Sequence, residues 1–255
     1  VIMAVVVLGA IFALPSLPFT LLVAFIILGL AGWESGGLAR FEKPWLLWAY
    51  PTALFLAGLI VNWLATPISS KALLFIAALS WIIPALWLSH PQKKAPSWFT
   101  GALLAIILMG AWWAISRLQA QNPWLIVWLV LIVASADVGA YFSGRALGVA
   151  KLAPKISPGK TWAGAIGGAI AASVVAPLGS QLLPVSSTLT TYTLVLGGLG
   201  LAVASIVGDL FISTLKRQAG LKDSSALLPG HGGLMDRLDS LSPTFVLFAL
   251  AVETF

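Results

Sequence analysis

Long apolar runs recur along this chain, separated by short stretches that carry Pro, Gly or charge. A run of about 20 such residues is enough for a helix to cross roughly 30 Å of hydrocarbon. Within a bilayer the backbone can satisfy its own hydrogen bonds only as helices or as a closed barrel. Barrel strands alternate apolar and polar residues, and these runs do not. The expected fold class is therefore all-α, a polytopic transmembrane helix bundle. Composition agrees: 60% of the 255 residues are hydrophobic and 9% charged, with a mean hydropathy of +1.01, which excludes both a soluble globular domain and a disordered chain. Nine spans are predicted, roughly 1–14, 17–33, 45–64, 72–89, 98–115, 124–142, 162–183, 188–215 and 234–255. Five of them begin or end at Trp, where an amphipathic ring sits at headgroup level.

The basic residues give the predicted spans a direction. Arg40, Lys43, Lys93, Lys94, Arg145, Lys151, Lys155, Lys160, Lys216, Arg217, Lys222 and Arg237 fall in alternate connections, twelve on one side, whereas only Lys71 and Arg117 fall on the other. Basic loops stay in the cytoplasm, so loops 143–161 and 216–233 are expected there and the C-terminus outside. The net charge of +6 is thus spread over short loops, and no nucleic-acid partner is implied. With no cysteine there is neither a disulfide nor a thiolate metal site. The chain starts Val-Ile-Met, so residues are expected to precede it. Its first run has no basic flank or cleavage site and is read as a membrane helix rather than a removed signal peptide.

Against this background one segment stands apart. From Ser213 to Asp239 there are seven charged residues and one of the two histidines within 27 positions. Asp209, at the end of an apolar run, shares a helical face with Ser213, Lys216 and Arg217. An acid there must be paired, must ligate an ion or must face a polar cavity. Asp209 and Asp236 are candidate ligands of Mg²⁺, which uses one or two carboxylates plus substrate phosphates; the competing reading is an ion pair with a neighbouring Lys or Arg. Starting the last span near Leu234 gives about 22 residues and roughly 33 Å, with Gly232 and Gly233 at its N-terminal cap and Asp236 and Asp239 on one face of its first turns. Pro229-Gly230-His231-Gly232-Gly233 would let backbone N–H groups approach a phosphate, or would be an ordinary turn. Ser157, Lys160 and Thr161 form a second phosphate-binding candidate at a helix N-terminus. Their surroundings end like a P-loop, but Pro154 stands where that motif needs its first glycine, and no strand is predicted before it. Asp137 is either a third acidic contributor or a partner for Arg145 or a lysine. The glycines at 164, 168, 197, 198 and 200 are expected to permit close helix packing. Glu34, Glu42, His90, Lys93 and Lys94 are read as loop residues at headgroup level.

The pattern Ser-x-x-Lys-Arg, Lys-Asp, Pro-Gly-His-Gly-Gly, Asp-Arg-x-Asp over Ser213–Asp239, with Lys-Leu-Ala-Pro-Lys-Ile-Ser-Pro-Gly-Lys-Thr-Trp over Lys151–Trp162, resembles the phosphatidate cytidylyltransferase (CDP-diacylglycerol synthase) family of bacterial type. The resemblance covers about Ser135–Leu241, which divides the chain into N-terminal transmembrane helices (1–134) and a catalytic region (135–255). Ile212 and Ser225 depart from the expected pattern, where an acid and a glycine would be usual. The resemblance implies transfer of a cytidylyl group from CTP to phosphatidate in a bacterial cytoplasmic (inner) membrane, with the site facing the cytoplasm. Asp209 and Asp236 would hold Mg²⁺, and whether a second, monovalent cation joins it is open. Asp209, Asp236, Lys160, Lys222 and Arg237 would be catalytic. Ser157, Thr161, Ser213, Lys216, Arg217, Asp223, His231, Gly232, Gly233, Asp239 and Asp137 would contact substrate. The oligomeric state, monomer or homodimer, is not fixed. A CTP-dependent polyprenol or lipid-alcohol kinase would use similar groups and is the near rival. An ion-coupled transporter is the rival from another class, but it would place its acids near midplane within paired repeats.

Overall fold

The computed structural model describes residues 2–185, 189–227, 230 and 232–254. It is a bundle of helices with one small hairpin. Helix α1 is Ile2–Ala13. Helices α2 (Ser16–Ala24) and α3 (Gly32–Leu38) are joined without a break by a π-helical stretch, Phe25–Ala31. Then come α4 (Leu46–Leu64), α5 (Pro67–Ser80), α6 (Ile82–Trp87), α7 (Ser97–Gln121) and α8 (Pro123–Leu147). A hairpin of β1 (Lys151–Ala153) and β2 (Ser157–Thr161) precedes α9 (Trp162–Leu182), α10 (Thr191–Gln218), α11 (Met235–Leu238) and α12 (Leu241–Thr254).

Among the described residues seven helical stretches are long and apolar enough to cross a membrane, fewer than the nine spans predicted. The first expected span is a helix of 12 residues. The last is two helices, not one rod from Leu234, and α12 has 14 residues. Proline explains that break. The ring of Pro243 excludes a hydrogen bond to the carbonyl of Asp239, four residues back, and collides with it in a straight helix. The freed Asp239 carbonyl packs instead against Gly208 of α10, where a Cβ would run into it. Pro84 acts likewise on Ser80, and the chain turns at Trp81 between α5 and α6. Elsewhere side chains set the starts: Asn122 caps α8, Thr161 caps α9 and Thr190 caps α10, each accepting a backbone N–H of the first turn.

Helix α9 lies between α8 and α10. Small residues make this possible. A Cβ at Gly168 would stand 2.7 Å from the Ala136 carbonyl oxygen, and one at Gly198 would stand 2.5 Å from that of Ala172. Gly197 and Gly200, also expected to serve close packing, face open space. Helix α7 runs through the centre, with Leu104, Leu108 and Trp112 wholly buried. At one end of the bundle Arg117 pairs with Glu253 at 2.8 Å, tying α7 to α12. The charged segment gathers at the other end.

Candidate active site

Helices α8, α9 and α10 and the hairpin frame an open cleft of about 410 Å³ lined by Asp137, Arg145, Lys151, Lys160, Thr161 and Asp209, among others. The antiparallel hairpin, with Lys151 opposite Thr161 and Ala153 opposite Ser157, has no counterpart in the sequence expectation, and β2 leads directly into α9. Gly159 and Lys160 therefore lie on a strand rather than in a phosphate-binding loop. Thr161 is buried and spends its hydroxyl on the Gly164 N–H at 3.1 Å, and Ser157 starts β2 outside the cleft lining. Lys160 reaches across the cleft, its Nζ 2.5 Å from Asp209 Oδ2. Ser213, one turn further along α10, donates to Asp209 Oδ1 at 3.2 Å.

Asp137 stands exposed on the cleft wall within electrostatic reach of Asp209 and Lys160. Arg145 donates to Tyr141 Oη at 3.2 Å instead of pairing with it. Asp239 lies close enough to Asp209 to feel its charge. Burial first, then that charge, pushes the Asp239 carboxyl up to about 7, against the pull of the Ser240 N–H and of Lys216 and Lys160.

Two helical turns beyond Asp209 on α10, roughly 10 Å along the axis, Lys216 Nζ binds Asp236 Oδ1 at 2.6 Å. Asp236 Oδ2 accepts the N–H groups of Ser224 and Gly233, both at 2.9 Å, and faces the Ser224 hydroxyl at 3.1 Å. Burial opposes its charge, but the Lys216 hydrogen bond, these N–H groups and the Lys216 charge hold the carboxyl below the usual carboxylate range. Gly232, at φ +81°, adopts a left-handed conformation that suits glycine. A Cβ on Gly233 would run into Ser224 Oγ. The glycines here let a carboxylate fold its own loop around itself.

The remaining expected contacts are dispersed. Arg217 is exposed and donates to the Leu221 carbonyl at 3.2 Å, closing its own loop rather than facing Asp209. Lys222, Asp223 and Arg237 are exposed at the same end. Pro229 and His231 lie outside the described residues. Ile212, 1% exposed, belongs to the apolar core; the cleft does not lack an acid there. Ser225 uses its hydroxyl, donating to Glu34 Oε1 at 2.6 Å.

Glu34, expected as a loop residue at headgroup level, is not one. It sits on α3 at 2% exposure. Its carboxylate accepts from the Ser224 and Ser225 hydroxyls at 2.9 and 2.6 Å and from the Leu234 and Met235 N–H groups at 2.8 and 2.7 Å. The signal in the sequence is faint: an acid whose i±3 and i±4 positions, Leu30, Ala31, Gly37 and Leu38, offer no cation on its own helix.

Among the described residues no three carboxylate or histidine side chains converge as a ready-made metal site. The donors nonetheless suit a hard divalent cation. They are carboxylate oxygens, and Asp209 and Asp236 each hold an ammonium group where a cation would sit.

The chain matches the cytidylyltransferase family over residues 1–255. The phosphatidate cytidylyltransferase of Pseudomonas aeruginosa is 38% identical to it, over 95% of this chain and 90% of that protein. That of Haemophilus influenzae is 38% identical over 89% and 86%. That of Brucella suis is 45% identical over 54% and 51%. Because the match takes in the N-terminal helices as well as the hairpin and the α10–α12 segment with their paired Lys and Asp residues, this polytopic membrane protein belongs to the cytidylyltransferase family.

Proposed function

We propose that this chain transfers the cytidylyl group of CTP to phosphatidate, forming CDP-diacylglycerol and pyrophosphate, at the cytoplasmic face of a bacterial inner membrane. The observation that carries the reading is the Lys160–Asp209 pair across an open cleft, at the same end of the bundle as the Lys216–Asp236 pair. Both reactants are anions. The lipid phosphate oxygen can attack the α-phosphorus only where their mutual repulsion is offset, and the bond to the pyrophosphate oxygen then breaks. Lys160 and Lys216 supply positive charge from fixed positions, so little reorganisation accompanies the transfer. Lys222 and Arg237, exposed at the same end, meet the water-soluble nucleotide.

Mg²⁺ would be held by Asp209 and Asp236, with Asp239 beside them; when bound it screens phosphate charge and stabilises the leaving oxygen. With Mg²⁺ on these carboxylates, Lys160 and Lys216 would be available to substrate phosphates. A cleft between helices at the membrane surface admits a two-tailed lipid from the side and the nucleotide from water.

The reading requires CTP, phosphatidate and a divalent cation together, and no ion gradient. Purified protein in detergent should release pyrophosphate only when all three are present. Diacylglycerol should not replace phosphatidate. Release of CDP with diacylglycerol as acceptor would identify a lipid kinase, and inactivity in detergent with activity restored by a gradient would point to a transporter.

A further inference from the structure

We propose that Glu34 is a positioning residue for the transfer, the template on which segment 224–235 folds so that Asp236 faces the site. This rests on the cytidylyl-transfer reading and adds to it a residue from a helix that no sequence pattern connects to the chemistry. A carboxylate 2% exposed on an apolar helix is tolerated only if its oxygens are satisfied. Among the described residues no cation pairs with Glu34. Its four donors among the described residues come from one distant segment: two serine hydroxyls and two backbone N–H groups.

The chain leaves α10 at Gln218, crosses the end of the bundle and returns at α11. Glu34 grips that excursion at both ends, Ser224 and Ser225 on the way out and Leu234 and Met235 on the way back. Hydrogen bonds to an ionised acceptor are the strong kind. Between the two grips lie the glycines, and immediately after them Asp236.

The two carboxylates share a partner. The Ser224 hydroxyl carries one proton and lies 2.9 Å from Glu34 Oε2 and 3.1 Å from Asp236 Oδ2, so it serves one acceptor at a time. The Ser224 N–H is committed to Asp236. Ser224 thereby joins the carboxylate that builds the loop to the one the loop presents. The π-helical turn before α3 adds to the case, since wider turns of this kind often mark functional positions; here it immediately precedes the helix that carries Glu34 inward.

The test uses the full-length protein in detergent, with three measurements on wild type and on the Glu34→Gln and Ser225→Ala variants: product formation from CTP, phosphatidate and Mg²⁺; thermal unfolding; and amide hydrogen exchange along the chain. Gln keeps the shape but turns an NH₂ toward groups that are themselves donors. We expect Glu34→Gln to lower kcat at least about tenfold, the equivalent of a single misplaced interaction, with a smaller change in KM for either substrate. Faster exchange should be confined to 224–235. Ser225→Ala, which leaves Glu34 three donors, should show the same pattern with a loss of severalfold. A role in bundle stability alone would give exchange raised evenly along the chain and activity falling only with the folded fraction, and that result overturns the proposal. So does wild-type kcat and exchange in Glu34→Gln. If that variant does not fold, Ser225→Ala decides: local loosening with reduced kcat supports the clamp, and wild-type behaviour overturns it. Failure of the wild type to make CDP-diacylglycerol would overturn the transfer reading, and the role assigned to Glu34 in it, irrespective of the exchange pattern.

Discussion

Lys160 and Asp209 hold one another across the cleft, and each is partly open to water. An ion pair in that setting contributes at most about 1 kcal/mol to folding. Asp209→Asn should therefore leave the thermal unfolding midpoint nearly unchanged while lowering kcat by about 10²–10³; full activity at low Mg²⁺ would assign Asp209 to structure. The exposed cations divide differently. Contacts made equally in ground and transition states raise KM, whereas contacts made only in the transition state lower kcat. Lys160→Ala is expected to lower kcat, and Lys222→Ala and Arg237→Ala to raise KM for CTP; steady-state rates with each substrate varied in turn would check both. Asp209, Lys160 and Asp236 are legible in the sequence because charge beside an apolar run needs a reason. Glu34 is not. Its donors include two backbone N–H groups some 200 positions away, and a backbone N–H has no residue type to betray it.

At the scale of elements, the stripe Asp209, Ser213, Lys216 and Arg217 on α10 follows from helical periodicity alone; the structure joins Ser213 to Asp209, while Lys216 pairs with Asp236 and Arg217 closes its own loop. The break after α11 is written in Pro243, but the length needed for a full span outweighs it when the sequence is read alone. The hairpin is not legible: Lys-Leu-Ala and Ser-Pro-Gly-Lys-Thr lack the alternation of β-branched and aromatic residues that marks strands. It forms because the chain must turn back between α8 and α9, which pack at backbone contact. Gly208 faces the Asp239 carbonyl and the Pro243 ring, and a Cβ added at Gly208 would stand 2.8 Å from that ring. Gly208→Ala should force α10 and α12 apart, destabilising the protein by about 1–3 kcal/mol and displacing Asp239 from Asp209. A lower unfolding midpoint with reduced activity is expected in detergent; unchanged values would show that the interface yields easily.

For the whole molecule, contacts place Arg40, Lys93, Lys160 and Lys216 at the end that holds the site, and Arg117 at the opposite end with Glu253. The distribution of charge predicts that the site end faces the cytoplasm. The chain has no native cysteine, so single replacements at exposed positions report the side. In intact cells an impermeant thiol reagent should label Gln121→Cys and spare Ala226→Cys; the reverse would invert the topology. Transfer and phosphorylation differ in which phosphorus of CTP moves. CTP labelled at its α-phosphorus and, separately, at its γ-phosphorus should be incubated with the purified protein, phosphatidate and Mg²⁺, and the lipid product isolated. The α-label should enter the lipid as CDP-diacylglycerol while the γ-label leaves as pyrophosphate. Transfer of γ-label to lipid, with CDP left in solution, would contradict cytidylyl transfer.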